Sequence, residues 1–185
     1  MNSKPDAPEL TFRIVGMGGE PAVGKTSIFK RLREHFAGVS REFKFGLVRG
    51  LADEGMTTII AGVYDGSTWE GCDKLSMAVQ PDFEKMLVKL RDKACTVYFE
   101  GDRLFNPSLC TRFPVRGVVI KANEATLAVR HASRNDNQPE SFLKAKRTKL
   151  SRIVEQFKFP TMGNDTQTEQ DAVLTWLLAQ HHTTP

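Results

Sequence analysis

Cysteine, tyrosine and tryptophan are scarce in this 185-residue chain, at three, two and two residues. Cys72, Cys95 and Cys110 stand at unrelated spacings, so they offer neither a disulfide framework nor a zinc-ligand pattern. An odd count without a secretory leader fits a reducing compartment, and the expectation is a cytoplasmic protein. Cys95 lies in an apolar run and reads as a small core residue. No apolar run approaches the roughly 18 residues of a membrane span, so no membrane partner is expected. Internal repeats and low-complexity tracts are absent as well. The polar, proline-bearing start, Met1-Asn2-Ser3-Lys4-Pro5-Asp6-Ala7-Pro8, reads as a disordered lead-in over residues 1–10.

What is there is ordinary for a globular chain: 40% hydrophobic and 26% charged residues. The length predicts one domain, over residues 11–180, followed by a short tail at 181–185. A formal charge of +4 and a pI near 9.0 permit a polyanionic partner without requiring one.

The strongest local signal is Gly19-Glu20-Pro21-Ala22-Val23-Gly24-Lys25-Thr26, a full match to G-x-x-x-x-G-K-[ST]. A buried strand, Thr11–Gly16, precedes it. A helix with apolar positions at Ile28, Leu32 and Phe36 follows. In that context Gly19, Ala22, Val23, Gly24, Lys25, Thr26 and Ser27 predict a backbone cradle for a nucleoside triphosphate at a helix N-terminus. Lys25 would reach the outer phosphates and the Thr26 hydroxyl would hold Mg²⁺.

Beyond the loop, strands and helices alternate, which predicts an α/β fold: a mainly parallel five-stranded sheet with helices on both faces and a kinase-type lid. Strands are expected at Phe43–Arg49, Thr57–Tyr64, Cys95–Glu100 and Val115–Ala122, with one of the first two an antiparallel edge addition. Pro81 opens a helix with apolar Phe83, Met86, Leu87 and Leu90. Phe157–Phe159 reads as a last short strand. Thr168–Gln180 reads as a closing helix with Val173, Leu174, Leu177 and Leu178 inward. The segment 123–152 is basic and is read as the lid or substrate region.

In doubly wound sheets ligands bind at the carboxyl ends of strands, so acids there are candidates for chemistry. Asp65 follows one apolar strand and is the first choice for a base; Glu100 ends another and is the choice for the metal-side acid, through water. Asp73, Asp102 and Arg103 are further substrate-side candidates, and Asp73 competes with Asp65 for the role of base. Trp69 is either a stacking platform for a nucleobase or a packing residue. Arg130 and Arg134, four residues apart, are candidates for neutralising charge on a transferred phosphoryl group. Lys146, Arg147 and Lys149 form either a nucleic-acid backbone patch or a solvated face. The strand ending Ile120-Lys121-Ala122-Asn123-Glu124 lacks the Asn-Lys-x-Asp of guanine readers, which argues against a GTPase.

Four stretches together carry a resemblance: Gly19–Thr26, Ile60–Gly66, Gly71-Cys72-Asp73-Lys74-Leu75-Ser76-Met77 and Phe99-Glu100-Gly101-Asp102-Arg103-Leu104-Phe105. With them the chain resembles the small P-loop kinases of tailed bacteriophages that phosphorylate 5-hydroxymethyluracil in phage DNA, over about residues 11–178. The resemblance implies use of a triphosphate, taken as ATP, with Mg²⁺, a partner DNA containing 5-hydroxymethyluracil, and action in the cytoplasm of a bacterial host. It implies phosphate and metal binding by Lys25 and Thr26; the role of Asp65 rests on its strand-end position. A base in a duplex would have to be flipped to reach such a site. Two other readings use the same residues: a kinase of free deoxynucleosides or their monophosphates, and a nucleotide-binding module without catalysis.

Overall fold

Strand β1 (Phe12–Gly19) is buried along nearly all its length, because it is hydrogen-bonded on both edges and covered on both faces. The structure, a computed structural model, describes residues 12–67, 70–133 and 138–181. The lead-in, Trp69, Arg134 and the last four tail residues lie outside the described residues.

Seven strands form one sheet rather than the five expected. They are β1, β2 (Arg41–Phe45), β3 (Val48–Ala52), β4 (Thr58–Ala61), β5 (Cys95–Glu100), β6 (Val115–Lys121) and β7 (Thr161–Gly163), in spatial order β2-β3-β4-β5-β1-β6-β7. The last five of that order run parallel, while β2 and β3 are antiparallel additions. The expected single strand Phe43–Arg49 is in fact a hairpin. It turns at Gly46-Leu47, where the Leu47 N–H donates to Asp82 at 3.0 Å.

Helices α1 (Lys25–His35), α4 (Glu124–Ser133) and α6 (Gln167–Ala179) contribute Ile28, Phe29, Leu32, Leu127, Val173 and Leu177 to one buried cluster. Helices α2 (Gln80–Leu90), α3 (Pro107–Arg112) and α5 (Glu140–Phe157) contribute Phe83, Met86, Leu87, Leu109, Leu150 and Ile153 to the other. The sheet is thus covered on both faces, as the alternation predicts. Burying each large side chain stabilises the fold by about 1.5–3 kcal/mol.

Two further expectations change. The basic segment 123–152 contains α4 and most of α5, and α5 anchors in the core through Leu150 and Ile153. Phe157 ends α5 instead of starting a strand. Lys158 caps the helix in the left-handed region (φ 56°), and the last strand lies three residues further on. Helix α3 adds to the elements expected from the sequence; the Asn106 side chain caps it by accepting from the Leu109 N–H at 3.1 Å.

Candidate active site

The loop joining β1 to α1 is pinned from four sides. Ala22, Val23 and Gly24 are buried. Val23 N–H closes a turn on the Glu20 carbonyl at 3.4 Å, and the first helical bond of α1 runs from Ile28 N–H to Gly24 O at 3.2 Å. Helix α1 has no acid in its first turn, which leaves its positive end free for an anion. Lys25 curls back over the loop, donating to the carbonyls of Gly19 at 3.0 Å and Glu20 at 2.9 Å. Thr26 is half-buried beside it, and Ser27 is exposed.

Arg130 of α4 holds the far end of the loop. Its two Nη atoms donate to Val23 O and Asn164 O, both at 2.8 Å. Asn164, fully buried after β7, donates to the same Val23 carbonyl at 2.5 Å, while its Oδ1 has no hydrogen-bond partner among the described residues. Asn164 passes so close to Gly24 that a Cβ there would lie 2.4 Å from Nδ2.

Three acids gather where β5 ends. Glu100 pairs in register with Met17 of β1, which places it beside the loop. It is 1% exposed, and its Oε2 has no hydrogen-bond partner among the described residues. Burial pushes its carboxyl up to about 7; Lys25 opposes the shift and the charges of Asp73 and Asp102 add to it. Asp73, in a short 3₁₀ turn (Cys72–Lys74), lies over Gly101, and Arg103 approaches the Asp73 carbonyl at 3.4 Å. Asp102 is paired with Lys146 and stands 3.9 Å from Lys149.

The basic residues of α5 are therefore sorted by side. Lys146, Arg147 and Lys149, read as either a nucleic-acid backbone patch or a solvated face, are half-buried and approach acids: Asp102 for the lysines, Glu20 at 2.6 Å for Arg147 Nε. The exposed row Ser141, Lys144, Thr148 and Arg152 lines an open groove of about 520 Å³ together with Pro107, Ala145 and Lys149, so Lys149 borders both sides.

Asp65 stands apart from these acids. Its side chain is 50% exposed and held by Lys74 Nζ at 2.7 Å, which with Ser67 keeps its carboxyl well below the usual carboxylate range. It lines a separate hollow of about 340 Å³ with Lys44, Arg49 and Tyr64.

The group that the loop motif implies, Mg²⁺ with a triphosphate, suits the residues present. A buried carboxyl with an unpartnered oxygen lies within electrostatic reach of Lys25, and the Thr26 hydroxyl starts the adjoining helix. Among the described residues no three acids, histidines or cysteines converge into a self-sufficient metal cage. Glu20, Asn164 and the inward role of Arg147 escaped the sequence reading; Glu20 alone had a signal, as an acid inside a phosphate-binding pattern.

The chain thus presents a G-x-x-x-x-G-K-[ST] loop between the first strand and first helix of a mainly parallel, seven-stranded α/β sheet. No protein-family model matches it, and no curated protein does. Among solved structures it is similar to an uncharacterized protein from Eubacterium ventriosum ATCC 27560, at 13% identity and a TM-score of 0.46, covering 90% of this chain and 98% of that one. It is also similar to a gluconokinase from Sinorhizobium meliloti 1021, at 14% identity and a TM-score of 0.45, covering 92% and 91%. At these values neither likeness bears on what this chain acts on.

Proposed function

We propose that the chain is an ATP-dependent kinase whose acceptor is the hydroxymethyl group of 5-hydroxymethyluracil in DNA. The observation that carries the reading is the meeting of two distant stretches beside the loop. Gly71–Met77 and Phe99–Phe105 both belong to the phage-kinase resemblance. The Cys72 backbone bonds Glu100, Asp73 covers Gly101, and Arg103 reaches back to Asp73. An exposed carboxylate, Asp73, is thereby held within electrostatic reach of Glu100, as Lys25 is, and an acceptor hydroxyl would approach a loop-bound γ-phosphate there.

The chemistry balances as a simple displacement. The hydroxymethyl oxygen attacks the γ-phosphorus, the bond to the β–γ bridging oxygen breaks, and ADP departs with that oxygen. The hydroxyl proton passes to a carboxylate, for which Asp73 is preferred and Asp65 is the alternative. Thr26 and Glu100 would hold Mg²⁺, which neutralises phosphate charge when bound. The test is incubation of ATP and the protein with an oligonucleotide carrying 5-hydroxymethyluracil, followed by nucleoside mass spectrometry. A mass gain of one phosphoryl group on the modified nucleoside alone is expected; none on any nucleoside refutes the reading.

One observation favours the second reading, a kinase of free deoxynucleotides. The pairing of Lys146 with Asp102, and of Arg147 with Glu20, engages two of the three candidate cations away from a DNA-binding role, while Lys149 still lines the groove. Under that reading, the modified monophosphate would accept phosphate and DNA would not.

A further inference from the structure

Glu20 receives two cations by two routes. Its carbonyl accepts from Lys25 Nζ at 2.9 Å, and its carboxylate accepts from Arg147 Nε at 2.6 Å. This orders the basic side chains along the loop. In phosphate-binding loops the lysine serves the outer phosphates, so the residue on which Lys25 rests marks that end of the cradle. Arg147 is tied to the same residue. Arg130 is tied to Val23, three positions further along, where the loop enters α1.

An acid inside a phosphate cradle is a liability, since it repels the triphosphate. The Glu20 side chain is only 12% exposed, which strengthens that repulsion unless a cation offsets it. Arg147 does so with Nε, the atom on one edge of its guanidinium. Glu140 stands 3.6 Å from Nη1, beyond hydrogen-bond distance, and no hydrogen bond from either Nη atom is formed among the described residues. A planar fork anchored on Glu20 through Nε, with its outer edge held only by the 3.6 Å ion pair to exposed Glu140, fits the equatorial oxygens of a phosphoryl group that would displace Glu140.

We infer that Arg147 is the cation that meets the transferring γ-phosphoryl group, and that Glu20 is its positioning residue. The inference rests on the phosphate-loop reading and is indifferent to which molecule accepts the phosphate. It moves the charge-neutralising role from Arg130, whose guanidinium is occupied by two carbonyls, to Arg147.

The test compares binding of ADP·Mg²⁺ with binding of ADP·Mg²⁺ plus fluoroaluminate, a mimic of the transferring phosphoryl group, by calorimetry. Wild type binds the mimic at least about a hundredfold more tightly than ADP alone. Arg147→Ala leaves ADP affinity unchanged and abolishes most of that gain, with turnover reduced about a thousandfold. Arg147→Lys recovers less than about a tenth of the lost turnover, because a point charge lacks the fork. Glu20→Gln, which keeps the shape and removes the charge, loses part of the gain, about tenfold, without weakening ADP. Equal loss of ADP and mimic binding in Arg147→Ala would reduce the pair to a structural salt bridge and overturn the inference, as would no loss at all. A wild type that binds neither ligand would overturn the phosphate-loop reading itself, and this inference with it.

Discussion

Gly71 and Glu100 are packed so tightly that a Cβ on Gly71 would stand 2.2 Å from Glu100 Oε1. Gly71 also has φ +100°, a conformation that side-chain-bearing residues avoid. The buried acid is therefore shaped by a glycine 29 positions earlier, as counted from the chain. Gly71→Ala should destabilise the protein by on the order of 2–4 kcal/mol, read by urea denaturation. It should also lower phosphoryl transfer, because Glu100 must move.

The raised carboxyl of Glu100 has a stability consequence with a defined sign. Its folded value of about 7 exceeds the ordinary 4.5, so between those values the folded state holds a proton that the unfolded state has released. Stability from this group is present below about pH 4.5 and is lost as pH rises through 7, by on the order of 3 kcal/mol. Glu100→Gln removes the ionisation. The difference in unfolding free energy between variant and wild type should therefore grow in the variant's favour from pH 4.5 to 8, and a flat difference would refute the assignment.

The choice of base is resolved by two isosteric substitutions. Asp65 is paired with Lys74 at the surface, whereas Asp73 lies over Gly101 within electrostatic reach of Glu100. Asp73→Asn should lower single-turnover transfer by about 10²–10⁴-fold, and Asp65→Asn should leave it near wild type. The reverse order would return the role to Asp65.

Much of this site was legible in the sequence, for reasons that differ residue by residue. The loop is local: a phosphate cradle needs glycines, a lysine and a hydroxyl at fixed spacing, and eight consecutive residues carry it. Glu100 was legible because an acid after an apolar run must lie at a strand end. The β2–β3 hairpin was not, since Phe43–Arg49 carries apolar residues on both sides of Gly46 and reads as one strand. The sorting of basic side chains on α5 depends on partners far away in the chain, Asp102 and Glu20. A trace of it was present even so. Lys146 and Arg147 precede buried Leu150 by four and three residues, which sets them beside its face of the helix.

If DNA is the substrate, its backbone should follow the exposed side of α5. Lys144 and Arg152 form no ion pair among the described residues and line the groove with Ser141 and Thr148. Replacing both by Ala should weaken oligonucleotide binding and lower the slope of log affinity against log salt by about 1.4–1.8, as expected for two lost phosphate contacts. Fluorescence anisotropy across a salt series measures this; an unchanged slope would remove the groove from the DNA path.

The central claim is tested most directly by competition in one tube. Labelled γ-phosphate from ATP is offered simultaneously to DNA containing 5-hydroxymethyluracil, to unmodified DNA, and to free 5-hydroxymethyldeoxyuridine monophosphate. The account predicts label in the modified DNA alone, abolished by Lys25→Ala. Label in the free monophosphate with none in DNA would contradict it and make the chain a kinase of the nucleotide pool.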